Sequence, residues 1–170
     1  IIATDELSGC GLSIPPLSDN AKKQLKTTML EAASINNPLD VVATAGAIHF
    51  KSAFETLMSE TQIDSIYLTF VTPPFVDCVS VAKVISEISK KQLKPIVCNY
   101  ITDKQAWGET SEILKEGGLP CFDYPETAAK ALSALVSYNK IKTRKKGIVK
   151  IFSDVDKETA AFILTNVTSQ

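Results

Sequence analysis

The stretch Asn36-Asn37-Pro38-Leu39-Asp40-Val41 holds the residues of this chain best suited to chemistry. An amide-rich turn meets a proline, then an aspartate set among apolar residues. The run Leu39-Asp40-Val41-Val42 reads as a strand ending in small residues, with a helical pattern after it. In an α/β protein, ligands bind at such strand-to-helix edges, where backbone N–H groups are free. Asp40 either receives a ligand hydrogen bond or accepts the N–H groups of its own turn, as Asp commonly does. Thr72-Pro73-Pro74-Phe75 is a second candidate: two prolines pre-order the loop and Phe75 offers an apolar wall to a small molecule. The alternative is a stiff connection between strand and helix. A third candidate is the helix that starts at Ile1 and Ile2, because a helix N-terminus carries roughly half a positive charge and several unpaired N–H groups. The alternative there is an ordinary surface helix.

Other reactive residue types carry less. His49 is the only histidine, and no Ser, Cys or carboxylate partner stands at a recognisable spacing from it. It reads as a partly exposed residue near a helix start rather than a base or phosphate carrier. Trp107 reads as a packing residue. The four cysteines, Cys10, Cys78, Cys98 and Cys121, are far apart with no C-x-x-C pair, as expected of reduced, buried thiols rather than a zinc site or disulfide framework. Neither G-x-G-x-x-G nor G-x-x-x-x-G-K-[ST] occurs, so dinucleotide and P-loop fingerprints are absent.

The elements that position these residues alternate. A helix from Ile1 to about Ser8 is stopped by Gly9 and Gly11. Leu12-Ser13-Ile14 reads as a short edge strand before Pro15-Pro16. Ser18 caps a helix with Leu25, Met29 and Leu30 at helical spacing. Ala47 to about Ser59 is a helix with Ile48, Phe54, Leu57 and Met58 expected on one face. Strands at Ser65–Val71, Pro95–Ile101 and Leu119–Asp123 alternate with helices opened by Asp77, by Trp107 and by Pro125, the last running to about Tyr138. This pattern predicts a three-layer, mostly parallel α/β sheet with helices on both faces. Its functional loops then lie at the carboxyl ends of the strands. Residues 1–139 form that domain. Residues 140–170 follow as a basic run (Lys140 to Lys146), a strand at Ile148–Phe152 and a last helix from Asp154 to about Asn166.

At 170 residues, 45% hydrophobic, the chain can bury one core. A net charge of −1 supplies no positive field for nucleic acid or anionic lipid. No apolar run approaches the roughly 20 residues that span a bilayer. The expectation is a cytoplasmic protein with no nucleic-acid or membrane partner.

Several short motifs then recur in one order: Ile2-Ala3-Thr4-Asp5; Gly11-Leu12-Ser13-Ile14-Pro15-Pro16-Leu17-Ser18; Asn37-Pro38-Leu39-Asp40-Val41; Ile63-Asp64-Ser65-Ile66; Lys94-Pro95-Ile96-Val97; and Gly117-Gly118-Leu119-Pro120-Cys121-Phe122-Asp123-Tyr124-Pro125-Glu126-Thr127-Ala128. Together, over roughly Ile1 to Tyr138, they resemble the flavodoxin-like CoA-ligase domain of NDP-forming acyl-CoA synthetases. That superfamily includes ADP-forming acetate–CoA ligase and succinyl-CoA synthetase. The resemblance implies a part in acyl-CoA + ADP + phosphate ⇌ carboxylate + CoA + ATP, run through a phosphohistidine held outside this stretch. His49 does not match that histidine. It implies a phosphate-facing helix at Ile1 and Ile2, a loop organised by Asn37 and Asp40, and an acyl-pocket loop at Thr72, Pro73, Pro74 and Phe75.

The resemblance further implies no catalytic residue, metal or cofactor in this segment, which alone would be inactive. The parent would use CoA, ADP/ATP and Mg, with CoA-binding, phosphohistidine and ATP-grasp domains or subunits as partners and a homo-oligomer left open. The family's first sheet strand and Gly-rich turn have no counterpart here, which leaves a gap in the sheet that Ile148–Phe152 is apolar enough to fill. The other reading is an acyl-CoA-sensing region of a protein lysine acyltransferase without ligase activity.

Overall fold

The structure, a computed structural model, describes residues 1–91, 93–148, 150, 152 and 154–167. Among them the order is α1 (Ile2–Gly9), α2 (Asp19–Lys26), α3 (Ala47–Ser59), β1 (Ile66–Val71), α4 (Cys78–Lys90), β2 (Ile96–Ile101), α5 (Gly108–Glu116), β3 (Cys121–Phe122), α6 (Pro125–Thr143) and α7 (Lys157–Val167). The three strands form one parallel sheet in the order β1-β2-β3, with Ile66 opposite Ile96 and Cys98 opposite Cys121.

Strand alternation sorts the side chains onto two faces. Ile66, Leu68 and Phe70 of β1, with Ile96, Cys98 and Tyr100 of β2, join one core with residues of α2, α3, α4 and α5. The residues between them, Tyr67 and Val97, join Phe122, Leu7, Leu12 and α6's Ala128 and Leu132 in a second core. Side chains two apart share a face, so this division requires helices on both sides of the sheet. The α/β, flavodoxin-like, parallel architecture read from the sequence is the one observed.

Local chemistry explains the helix limits. Ser18 Oγ accepts the Ala21 N–H at 3.1 Å at the start of α2, and Asp77 Oδ1 accepts the Ser80 N–H at 3.0 Å at the start of α4. α1 and α5 end alike. Gly11 and Gly118 take the left-handed conformation (φ 75° and 69°). The next residue's N–H then reaches back to Leu7 O at 3.0 Å, and to Leu114 O at 3.1 Å, closing a Schellman motif in each case. In α4 the buried positions Cys78, Val81, Ala82, Ile85 and Ile88 repeat at helical spacing against the sheet.

Several expectations need correction. Leu12-Ser13-Ile14 forms no strand, and Leu39–Val42 contributes only an isolated bridge between Ser34 and Asp40. Neither segment has a neighbouring strand among the described residues, and Val42, at φ 63°, breaks the extended run. α2 stops at Lys26, so Met29 packs from a turn. In α3, Phe54, Leu57 and Met58 pack on the core as expected, joined by the buried Phe50, Ala53 and Thr56. Ile48 is 66% exposed because it lies off that stripe. α6 runs to Thr143, through the first residues of the expected basic linker, since Asn139–Thr143 contains no helix breaker and lysines suit a helix C-terminus. The expected strand at Ile148–Phe152 falls partly on positions 149 and 151, outside the described residues; Ile148 and Phe152 are exposed. Among the described residues, no helix is long and apolar enough to cross a membrane.

Candidate functional site

Among the described residues β1 is an edge strand, and beside its outer edge lies a cavity of about 800 Å³. β1 forms one wall along its whole length and residues 37–43 form another. α1, α3, α6 and the segments at residues 11–15 and 62–65 contribute further lining. Six residues of strand extend roughly 20 Å, so this is a groove with the length of a strand. Its lining is mostly apolar, including Ile66, Leu68, Phe70, Leu39 and Val41.

Four of the residues singled out from sequence line this groove: Ile1, Asn37, Asp40 and Pro73. Ile2, Thr72, Pro74 and Phe75 do not. Asn37 Nδ2 donates to Pro15 O at 2.8 Å, which ties the Asn-Pro turn to the segment after α1. Asp40 is exposed, and its Oδ1 accepts the Val42 N–H at 2.9 Å. Its backbone exchanges two hydrogen bonds with Ser34, at 2.9 and 3.0 Å. Asp40 therefore fastens both flanks of its own loop.

The loop after β1 is built on Thr72, which is buried, and whose hydroxyl lies 2.7 Å from that of Thr102. That contact joins the loops following β1 and β2 at the carboxyl edge of the sheet. Pro74 and Phe75 stand exposed at the tip, Phe75 at 67%. α1 has Ile1 as its cap residue, and Ile1 makes no side-chain cap hydrogen bond. His49 sits in the first turn of α3, half-buried, and its Nδ1 accepts the Gly46 N–H at 3.0 Å. This is a capping role, in line with the expected helix residue. Trp107 packs on the main core, as expected.

The structure adds residues that sequence reasoning passed over. Lys94 Nζ donates to Leu57 O at 3.0 Å and to Glu60 O, closing the C-terminus of α3. Burial lowers its pKa despite the nearby Asp64 and Glu60. Glu60 accepts the Ser18 N–H at 2.9 Å and the Ser18 hydroxyl at 2.7 Å, and these bonds hold its carboxyl below the ordinary range. Tyr67 donates to Pro125 O at 3.1 Å, and burial first, with Cys98 and nearby carboxylates, pushes its pKa up to about 12. A second cavity, of about 450 Å³, lies beyond β2 and β3, where Lys104 and Asp123 form an ion pair at 2.8 Å. The capping signatures of Ser18 and Asp77 were readable; the long-range partners of Lys94 and Glu60 carry no local signal. No group of His, Cys, Asp and Glu among the described residues could hold a metal ion.

No family model matches the chain. Among curated proteins, it is similar to the acetate–CoA ligase [ADP-forming] II subunit alpha of Pyrococcus furiosus, 23% identical over 148 residues, covering 82% of this chain and 31% of that protein. It is also similar to the 4-hydroxybutyrate–CoA ligase [ADP-forming] of Nitrosopumilus maritimus, 25% identical over 170 residues, covering 93% of this chain and 24% of that protein. Among solved structures, a Pyrococcus horikoshii OT3 protein superposes with a TM-score of 0.77 at 24% identity, over 84% of this chain and 34% of that one. The chain thus spans about a quarter to a third of the curated relatives it matches. Sequence and fold agree: the chain is similar to one stretch of the ADP-forming acyl-CoA ligases, and its fold is α/β and flavodoxin-like.

Proposed function

We propose that this chain works as one domain of an ADP-forming acyl-CoA synthetase, in which acyl-CoA, ADP and phosphate give carboxylate, CoA and ATP. The observation that carries this reading is similarity to ligases of that name across most of the chain. The domain would supply no covalent chemistry. The uncapped N–H groups of α1, beside Ile1 and Ile2, face a phosphoryl group carried on a histidine elsewhere in the enzyme; helix dipoles stabilise such a group without adding a formal charge. Asn37 and Asp40 hold the neighbouring loop in shape. Thr72, Pro73, Pro74 and Phe75 form part of the acyl pocket, with the Thr72–Thr102 contact fixing its base.

CoA, the nucleotide and Mg bind to other domains or subunits, which are this chain's partners, and the segment alone is inactive. On this reading the strand-length groove along β1 is the space for the family's first strand. The relatives' names cover two different acyl groups, so the acyl specificity belongs to loop detail rather than to the fold.

The test is Phe75→Ala in the parent enzyme, with CoA release followed for acetyl-CoA and for longer acyl-CoAs. Removing an apolar wall changes discrimination by about 1–3 kcal/mol per methylene, roughly tenfold or more. The proposal expects kcat/KM to shift toward longer acyl groups by that order. An unchanged ratio across acyl lengths would remove Phe75 from the pocket.

A further inference from the structure

Cys98 of β2 and Cys121 of β3 stand directly opposite each other in the parallel ladder. The Cys98 N–H donates to Pro120 O at 2.9 Å, which fixes that register. Matched residues on neighbouring strands leave the same face of a sheet. Such strands lie about 4.8 Å apart, inside the Cα separation of about 4.4–6.8 Å that a disulfide spans. All four cysteines of the chain are reduced in the structure.

The members of the pair are unequal. Cys98 is fully buried. Cys121 is exposed and lines the second cavity, with Lys104 and Lys115 in the same wall. The adjacent Cys98 side chain draws the Cys121 thiol below its ordinary pKa, while Cys121 and burial push the Cys98 thiol well up. Cys121 is the first residue of a two-residue edge strand, so it has room to adjust its backbone as a bond forms.

We propose that Cys121 and Cys98 form a peroxide-responsive thiol pair, Cys121 attacking and Cys98 resolving, which closes to a disulfide across β2 and β3. The oxidant is a hydroperoxide. The Cys121 thiolate attacks one peroxide oxygen, the O–O bond breaks, and the other oxygen leaves and is protonated to water or an alcohol. The resulting Cys121 sulfenic acid is attacked by the Cys98 sulfur. The S–S bond forms, the S–O bond breaks, and the hydroxyl leaves with the Cys98 proton as water. In total, two thiols are oxidised and one hydroperoxide is reduced. The new bond would pin β3, which otherwise pairs with β2 at only two positions, Cys98–Cys121 and Asn99–Phe122.

The test treats the full chain with hydrogen peroxide and maps it by mass under non-reducing conditions. Trypsin separates the two cysteines, which fall in peptides ending at Lys104 and Lys130. The proposal expects these peptides to be joined with loss of two hydrogens, and to separate again on adding dithiothreitol. In Cys98→Ser the cross-link is lost and dimedone traps a sulfenic acid at Cys121. In Cys10→Ser the cross-link is unchanged. Peroxide-treated wild type that gains oxygen without joining these peptides, or that joins other cysteines, overturns the proposal. The wild-type map decides even where a Cys98 variant fails to fold.

Discussion

Gly117→Ala tests the packing on which the loops after β1 and β2 depend. A Cβ at Gly117 would lie 2.5 Å from Ser86 Oγ, and 2.8 Å from both the Cα and the Cβ of Ser86. Ordinary carbon contacts begin at roughly 3.5 Å, so α4 and α5 must part by most of an ångström, which weakens neighbouring contacts across the same seam. Overpacking of this kind costs about 1–3 kcal/mol. Gly117 has φ −70°, which alanine adopts freely. The substitution therefore also gains about 0.4–1 kcal/mol from the less flexible unfolded chain. The clash wins, because two of the three contacts are with atoms that a rotamer change cannot move. The net loss is about 1–2 kcal/mol, and for a chain of this size the melting temperature falls by roughly 2–8 °C.

Thermal melts by circular dichroism, with urea midpoints at unchanged slope, provide the assay. Gly118→Ala is the contrast: open space surrounds that position, and its cost arises only from φ 69°. The two effects separate in a Ser86→Gly background, where Gly117→Ala should cost less and Gly118→Ala the same. A Gly117→Ala protein as stable as wild type would refute the close approach of α4 and α5.

Other expectations follow from single contacts. Ser18→Ala removes the cap of α2 and should lower stability by about 1 kcal/mol, read from urea midpoints. Glu60 has a folded pKa below its ordinary 4.5. Its contribution is therefore present above that pH and lost as pH falls through the folded value, so the stability gap between wild type and Glu60→Gln should narrow in acid. Tyr67 behaves in the opposite sense. With a folded pKa near 12 against an ordinary 10.0, it favours the folded state below pH 10 and loses that contribution as pH rises toward 12. The advantage of wild type over Tyr67→Phe should shrink over that interval. Ile85→Ala opens a cavity at a fully buried position and should cost about 2–5 kcal/mol in chemical denaturation.

Sequence pattern revealed the fold where local signals agree. α3 is bounded as expected because Gly46 precedes its apolar stripe and no breaker interrupts it. β1 and β2 are apolar runs of strand length, and Gly11 and Gly118 stop α1 and α5 through left-handed turns. Pattern misled where partners are long-range. Leu12–Ile14 and Leu39–Val42 have strand-like composition but border the groove, where no strand among the described residues offers them a ladder. Ile48 is apolar yet off the inward stripe.

The site divides in the same way. Residue type left Asp40 either a ligand contact or its own turn, and in the structure its Oδ1 accepts the Val42 N–H. The shared groove of Ile1, Asn37, Asp40 and Pro73 depends on chain crossings that no local pattern encodes. The same holds for Cys98 and Cys121, which are far apart in sequence and meet only through strand register.

The central claim is that this domain serves ADP-forming acyl-CoA ligation. The direct measurement is ATP formation from acetyl-CoA, ADP and phosphate, with free CoA followed in parallel, by the complete polypeptide or subunit set that carries this segment and by the 170-residue chain alone. The account predicts matched ATP and CoA from the complete enzyme, dependent on both ADP and phosphate, and none from the chain alone. A complete enzyme that releases no CoA in response to ADP and phosphate with any short acyl-CoA would contradict it.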